Sequence, residues 1–109
     1  LIARAMMAEP ELLILDEPCN GLDLFAREEL LNRVAKIAEI PNHPALLFVS
    51  HYTEELLPCF TNVLLLRNGR IIKAGKRADV LTESSLTDFY HKPIKTVSLT
   101  GDRLAVYPG

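Results

Sequence analysis

The sequence predicts an α/β fold, on three observations. Two short apolar runs, Leu12–Leu15 and Ala45–Val49, each end in polar residues. A helical stretch, Leu24 to Glu39, lies between them. Turn and stop residues bound that stretch: Asn20-Gly21 before it, Pro41 and Pro44 after it. Strand, helix and strand in this order make a βαβ unit, so the two strands are expected to run parallel and to be covered on both faces.

Each element has its own reason. Leu1 to Ala8 is rich in helix formers and is followed by Pro10, but no capping residue precedes it. It reads as the back half of a helix, and the chain therefore as a piece of a larger protein. Leu12–Leu15 has the length of a buried strand, although periodicity alone leaves a helix open. Asp23 is placed to cap the Leu24–Glu39 helix. Leu30, Val34, Ile37 and Ala38 fall on one face of that helix, with Leu31 at its edge. Glu29 and Arg33 are spaced as an exposed ion pair.

Beyond the second strand, Thr53 to Cys59 reads as a short helix stopped near Pro58. Asn62–Arg67 and Arg70–Ala74 flank Asn68-Gly69, the signature of a type I′ hairpin. Lys76–Leu81 and Ser84–His91 read as two short helices. Val97–Leu99 and Arg103–Val106, around Thr100-Gly101-Asp102, make a weaker second hairpin.

Composition narrows the function classes. With 109 residues the chain is at most one domain, and its 49% hydrophobic and 24% charged residues are ordinary for a globular protein. A net charge of -2 provides no basic field for nucleic acid. Aromatic residues are 6% with no Trp, too few for a stacking platform. No apolar run approaches the ~20 residues of a membrane span. The two cysteines, Cys19 and Cys59, make neither a disulfide scaffold nor a four-ligand zinc site. A reducing compartment is the default expectation.

In parallel sheets, ligands bind beyond the carboxyl ends of the strands. Asp16 and Glu17 end the first strand; Ser50 and His51 end the second. The predicted fold therefore brings a carboxylate pair and an imidazole to one rim. Taken singly, each of these residues could simply close a strand or cap a turn.

Taken together they resemble a family. Leu12-Leu13-Ile14-Leu15-Asp16-Glu17-Pro18 resembles the Walker B segment of ATP-binding cassette (ABC) ATPases. Gly21-Leu22-Asp23 resembles their D-loop, and Val49-Ser50-His51 their switch or H-loop. Leu1 to Met6 is similar to the helix that follows the ABC signature, and Leu64–Ile71 to the hairpin that follows the H-loop. The resemblance runs from Leu1 to about Leu86 and gives the division 1–91, the carboxyl-terminal portion of an ABC ATPase domain, and 92–109, a short extension. It implies an incomplete P-loop NTPase core, with a parallel sheet flanked by helices.

The resemblance also implies roles. Asp16 would hold a magnesium ion, through water, and Glu17 would act as general base on the attacking water. His51 would reach the γ-phosphate of ATP. Asp23 would sit at a dimer seam, Gly21 would allow the tight turn before it, and Ser50 would lie on the nucleotide side. Cys19 stands where relatives often have Thr or Ser, and Tyr52 where they often have Asp. No Gly-x-x-x-x-Gly-Lys-Ser/Thr run occurs, so the phosphate-cradling loop is not in this stretch, and the signature would lie just before Leu1.

The implied function is ATP hydrolysis by the subunit of an ABC transporter, at the cytoplasmic face of the membrane. Its implied partners are a second ATPase subunit and a membrane-spanning permease, without nucleic acid. Cys19-Asn20 and the short tail resemble molybdenum-transport ABC ATPases. Two other readings stand beside this one: an ABC ATPase acting in translation or DNA repair, and a nonhydrolytic interaction module that keeps only the fold. The isolated chain, lacking the main phosphate grip, is expected to be inactive.

Overall fold

A computed structural model describes residues 2–109. The chain divides into two compact units, one running to His51 and one from Tyr52 to Gly109.

The first unit contains α1 (Ile2–Met7), β1 (Leu12–Asp16), α2 (Leu24–Glu39) and β2 (Ala45–Val49). β1 and β2 pair in parallel, from Leu12 opposite Ala45 to Asp16 opposite Val49. The α2 connection makes that direction possible. Asp23 caps α2 as expected, its Oδ1 accepting from Ala26 N at 2.8 Å. Arg33 and Glu29 form the anticipated pair at 2.8 Å.

The buried stripe of α2 is Leu31, Val34 and Ile37, whereas Leu30 and Ala38 are only half-buried. The expected face is thus rotated toward Leu31, which is 1% exposed. Leu13 is the buried residue of β1. Its sheet neighbours Leu12 and Ile14 point the other way, together with Leu47 and Val49 of β2. That second face is open, with Ile14 56% and Leu47 50% exposed. Coverage on both faces was expected; a single crossover helix can cover only one.

The second unit opens with a single 3-10 turn, Thr53–Glu55, in place of the expected helix to Cys59. Pro58 accounts for the early stop, because it disfavours helical geometry at the residue before it. The carbonyls that a longer helix would satisfy are taken by distant arginines instead. Arg103 Nε donates to Glu54 O at 2.7 Å, and Arg77 Nη1 to Leu57 O at 3.0 Å.

β3 (Asn62–Arg67) and β4 (Arg70–Lys76) form an antiparallel hairpin. Asn68 and Gly69 have φ of 52° and 73°, the two positive values of a type I′ turn. The register shifts at Leu65/Leu66, leaving Ile72 as the extra residue of a β-bulge. α3 (Arg77–Val80) and α4 (Glu83–Tyr90) follow. Thr82 caps α4, its Oγ1 accepting from Ser85 N at 3.1 Å, and His91 ends it in the left-handed region.

β5 (Ile94–Leu99) and β6 (Arg103–Pro108) make a second antiparallel hairpin, longer than the expected one. Leu65, Val80 and Leu86 are the core of this unit. Phe89, Ile94, Leu104 and Val106 pack against them, so residues beyond 92 share a core with residues before it. Lys73 Nζ donates to Ser85 Oγ at 2.6 Å and ties β4 to α4. Among the described residues no helix is long and apolar enough to cross a membrane.

Candidate active site

The site residues singled out from the sequence all fall in the first unit. β1 and β2 end level with each other, because Asp16 lies opposite Val49. The backbone pairing continues one residue further: Glu17 N donates to Val49 O at 2.8 Å. Glu17 then leaves the strand direction with φ of 47°. A non-glycine residue in that region costs about 1–2 kcal/mol, and such strain is held where the surroundings enforce it.

The turn directs the Glu17 carboxylate toward the second strand. His51 Nε2 and Glu17 Oε1 are 2.5 Å apart. A neutral imidazole donates its Nε2–H to the carboxylate there, and a protonated one forms an ion pair. The contact is accessible: the Glu17 side chain is 38% and the His51 side chain 80% exposed. The two residues thus meet as strand topology predicted, with a carboxylate and an imidazole on one rim.

Asp16 is the last residue of β1 and is exposed. Its carboxylate makes no hydrogen bond or ion pair among the described residues. No group of three or more His, Cys, Asp or Glu side chains that could hold a metal occurs among the described residues. The donor set is therefore one open carboxylate, beside a second one occupied by an imidazole. That fits magnesium, which takes hard oxygen ligands, keeps several waters and shares phosphate oxygens. It does not fit zinc, which is held by at least three His, Cys or carboxylate side chains, a set not found among the described residues.

The loop after Glu17 is built from tight turns. Asn20 N donates to Glu17 O, and Leu22 N to Cys19 O, both at 3.1 Å. Gly21 has φ of 80°, with open space where a Cβ would stand, so its constraint is conformational rather than steric. Cys19 is buried and Asp23 is engaged as the α2 cap. Gly21 and Asp23 follow the turn at Glu17, and the Asp23 carboxylate is turned to Ala26 N. Ser50 precedes His51 as the first residue after β2.

Sequence reasoning missed the two arginines that hold the segment after His51. Arg77 and Arg103 reach across 20 and 49 positions to backbone carbonyls. Carbonyl partners carry no side-chain identity, so no motif could have announced them.

No family model matches the chain. Individual proteins do. It is 44% identical over 108 residues to an ABC transporter ATP-binding protein of Streptococcus mutans, which covers 99% of this chain and 42% of that protein. It is 40% identical over 85 residues to the molybdenum import ATP-binding protein ModC of Photorhabdus laumondii, covering 78% of this chain and 24% of that protein. Among solved structures, an ABC transporter in an inward-facing conformation superposes with a TM-score of 0.80 at 28% identity, over 100% of this chain and 44% of that one. The chain thus spans less than half the length of these relatives. An α/β fold of P-loop NTPase type, carrying an acidic pair and a histidine at its strand ends, defines the class. The chain belongs to the family of ABC transporter ATP-binding proteins.

Proposed function

We propose that the protein containing this chain binds and hydrolyses ATP and couples hydrolysis to transport through a membrane permease. The observation that carries the reading is the 2.5 Å contact between Glu17 and His51, beside the open carboxylate of Asp16. Phosphoryl transfer to water needs an aimed nucleophile and compensation of charge on the transferring group. Glu17 is the general base: its carboxylate orients the attacking water and accepts a proton from it. His51 shares that carboxylate in the present arrangement and is exposed enough to turn toward a phosphate oxygen, where it stabilises developing charge. Asp16 would hold a magnesium ion. Magnesium, when bound, offsets the negative charge of the phosphates.

Gly21 and Asp23 shape the loop that follows, and Asp23 faces a second ATPase subunit while its carboxylate caps α2. Ser50 fixes the approach of His51 on the nucleotide side. Residues 1–91 form the ATPase portion and 92–109 an extension that stabilises it. The whole protein works as a dimer on the cytoplasmic face of the membrane.

The test is Glu17→Gln in the full-length protein. Glutamine keeps the shape but cannot accept the proton, so steady-state turnover falls by about 10²–10⁴-fold while ATP still binds. Near-normal turnover would remove Glu17 from the role of base. Loss of ATP binding along with turnover would make it a binding residue instead.

A further inference from the structure

The segment that follows His51 is held from outside itself. Its regular structure is the single turn Thr53–Glu55, with bonds from Glu55 N to Tyr52 O at 3.2 Å and from Leu56 N to Thr53 O at 3.0 Å. One turn with two such bonds is too short to keep its shape unaided. Thr53, Glu55 and Leu57 are buried, and β6 packs against the turn.

Two carbonyls of the segment lead to one place, the start of β6. Arg103 Nε donates to Glu54 O at 2.7 Å. Arg77 Nη1 donates to Leu57 O at 3.0 Å, and its Nη2 to Asp102 O at 3.3 Å. Asp102 and Arg103, consecutive residues of the C-terminal hairpin, thus grip the segment, one through Arg77 and one directly. A guanidinium donor makes these bonds stronger than neutral pairs.

His51 lies three residues before Glu54, at most about 11 Å of extended chain. Its side chain is 80% exposed, so little packing restrains the ring. The backbone on either side then sets its reach: the β2 register before it and the gripped segment after it.

We propose that Arg103 is a positioning residue for hydrolysis, acting through the segment it holds to keep His51 within reach of Glu17 and of a phosphate oxygen. The inference rests on the proposed role of His51. It gives the C-terminal hairpin a part in the reaction, although none of its residues touches the rim.

The test is Arg103→Ala in the full-length protein, read by the imidazole ¹⁵N resonances of His51 and by kcat and ATP affinity measured separately. The resonances should shift or broaden, and kcat should fall by about tenfold or more with ATP affinity unchanged, because displacement of a reacting group costs rate rather than binding. Glu83→Ala is the control for general loosening: its bonds go to Thr96 of the same hairpin and to none of residues 52–57. It should leave the His51 resonances and kcat in place. Arg77→Leu releases Leu57 O and carries the same expectation as Arg103→Ala, so the test stands where Arg103→Ala does not fold. Unmoved His51 resonances would overturn the proposal, as would an equal effect of Glu83→Ala. Shifted resonances with unchanged kcat would support the grip on His51 and overturn the hydrolytic role of His51 instead.

Discussion

At the scale of single residues, the decisive pair is Glu17 and His51. A carboxylate at an exposed rim ordinarily points into water. Here a left-handed turn at Glu17 aims it at the neighbouring strand, and His51 meets it at 2.5 Å. His51→Ala is expected to lower turnover by about 10²-fold or more, with a smaller effect on ATP affinity, as befits an interaction that strengthens in the transition state. Parallel measurement of kcat and of nucleotide affinity checks it; a variant that loses affinity alone would make His51 an ordinary binding residue. Residue identities at this rim were legible because Asp16-Glu17 and Ser50-His51 end two apolar runs of strand length. The positive φ of Glu17 was not legible, because nothing in a glutamate's chemistry favours it; the ladder bond to Val49 O and the turns behind it impose it.

At the scale of elements, caps and turns decide where structure starts and stops. Asp23 caps α2 through Ala26 N, so Asp23→Ala should cost about 1 kcal/mol in chemical denaturation. Asp23→Asn retains the cap; if it keeps stability while lowering hydrolysis, the carboxylate charge has a role beyond the helix. A second capping-like contact joins two elements of the other unit. Glu83 Oε2, in the first turn of α4, accepts from Thr96 N at 2.8 Å and from Thr96 Oγ1 at 3.3 Å. The backbone bond from Thr96 is the main reason that the Glu83 carboxyl sits below the ordinary glutamate range. A depressed carboxyl pKa adds stability that is fully present above the unfolded-state value and lost as pH falls through the folded one. Thermal unfolding of wild type and Glu83→Gln should therefore differ at neutral pH, with wild type higher, and converge as the pH is lowered below about 4. A gap that stays constant with pH would assign it to packing. The strand, helix and hairpin positions were legible from apolar runs, Asp23, and Asn68-Gly69. Thr53–Cys59 was misjudged because its helix competes with Pro58 and with two arginines that no local pattern reveals.

At the scale of the whole molecule, what these 109 residues can do alone follows from the faces they leave open. Leu12, Ile14, Leu47 and Val49 form one apolar face of the β1–β2 pair. Leu64, Leu66 and Ile71 form another on the β3–β4 hairpin. Surface of this kind is normally covered in a soluble monomer. The isolated chain should therefore bind an apolar dye such as anilinonaphthalene sulfonate and associate with itself as concentration rises. It should also bind Mg-ATP poorly. In this class of ATPase most phosphate affinity comes from backbone N–H groups of a glycine-rich loop and its lysine, and no such run occurs in these residues. Asp16 and Glu17 are negative and oppose an uncompensated triphosphate, an opposition that magnesium relieves only in part. Calorimetric titration with Mg-ATP, on a preparation shown to unfold cooperatively, should give no binding at micromolar nucleotide, and phosphate release should match buffer. Micromolar binding at one site per chain would show that a phosphate-binding element other than the glycine-rich loop lies within residues 1–109.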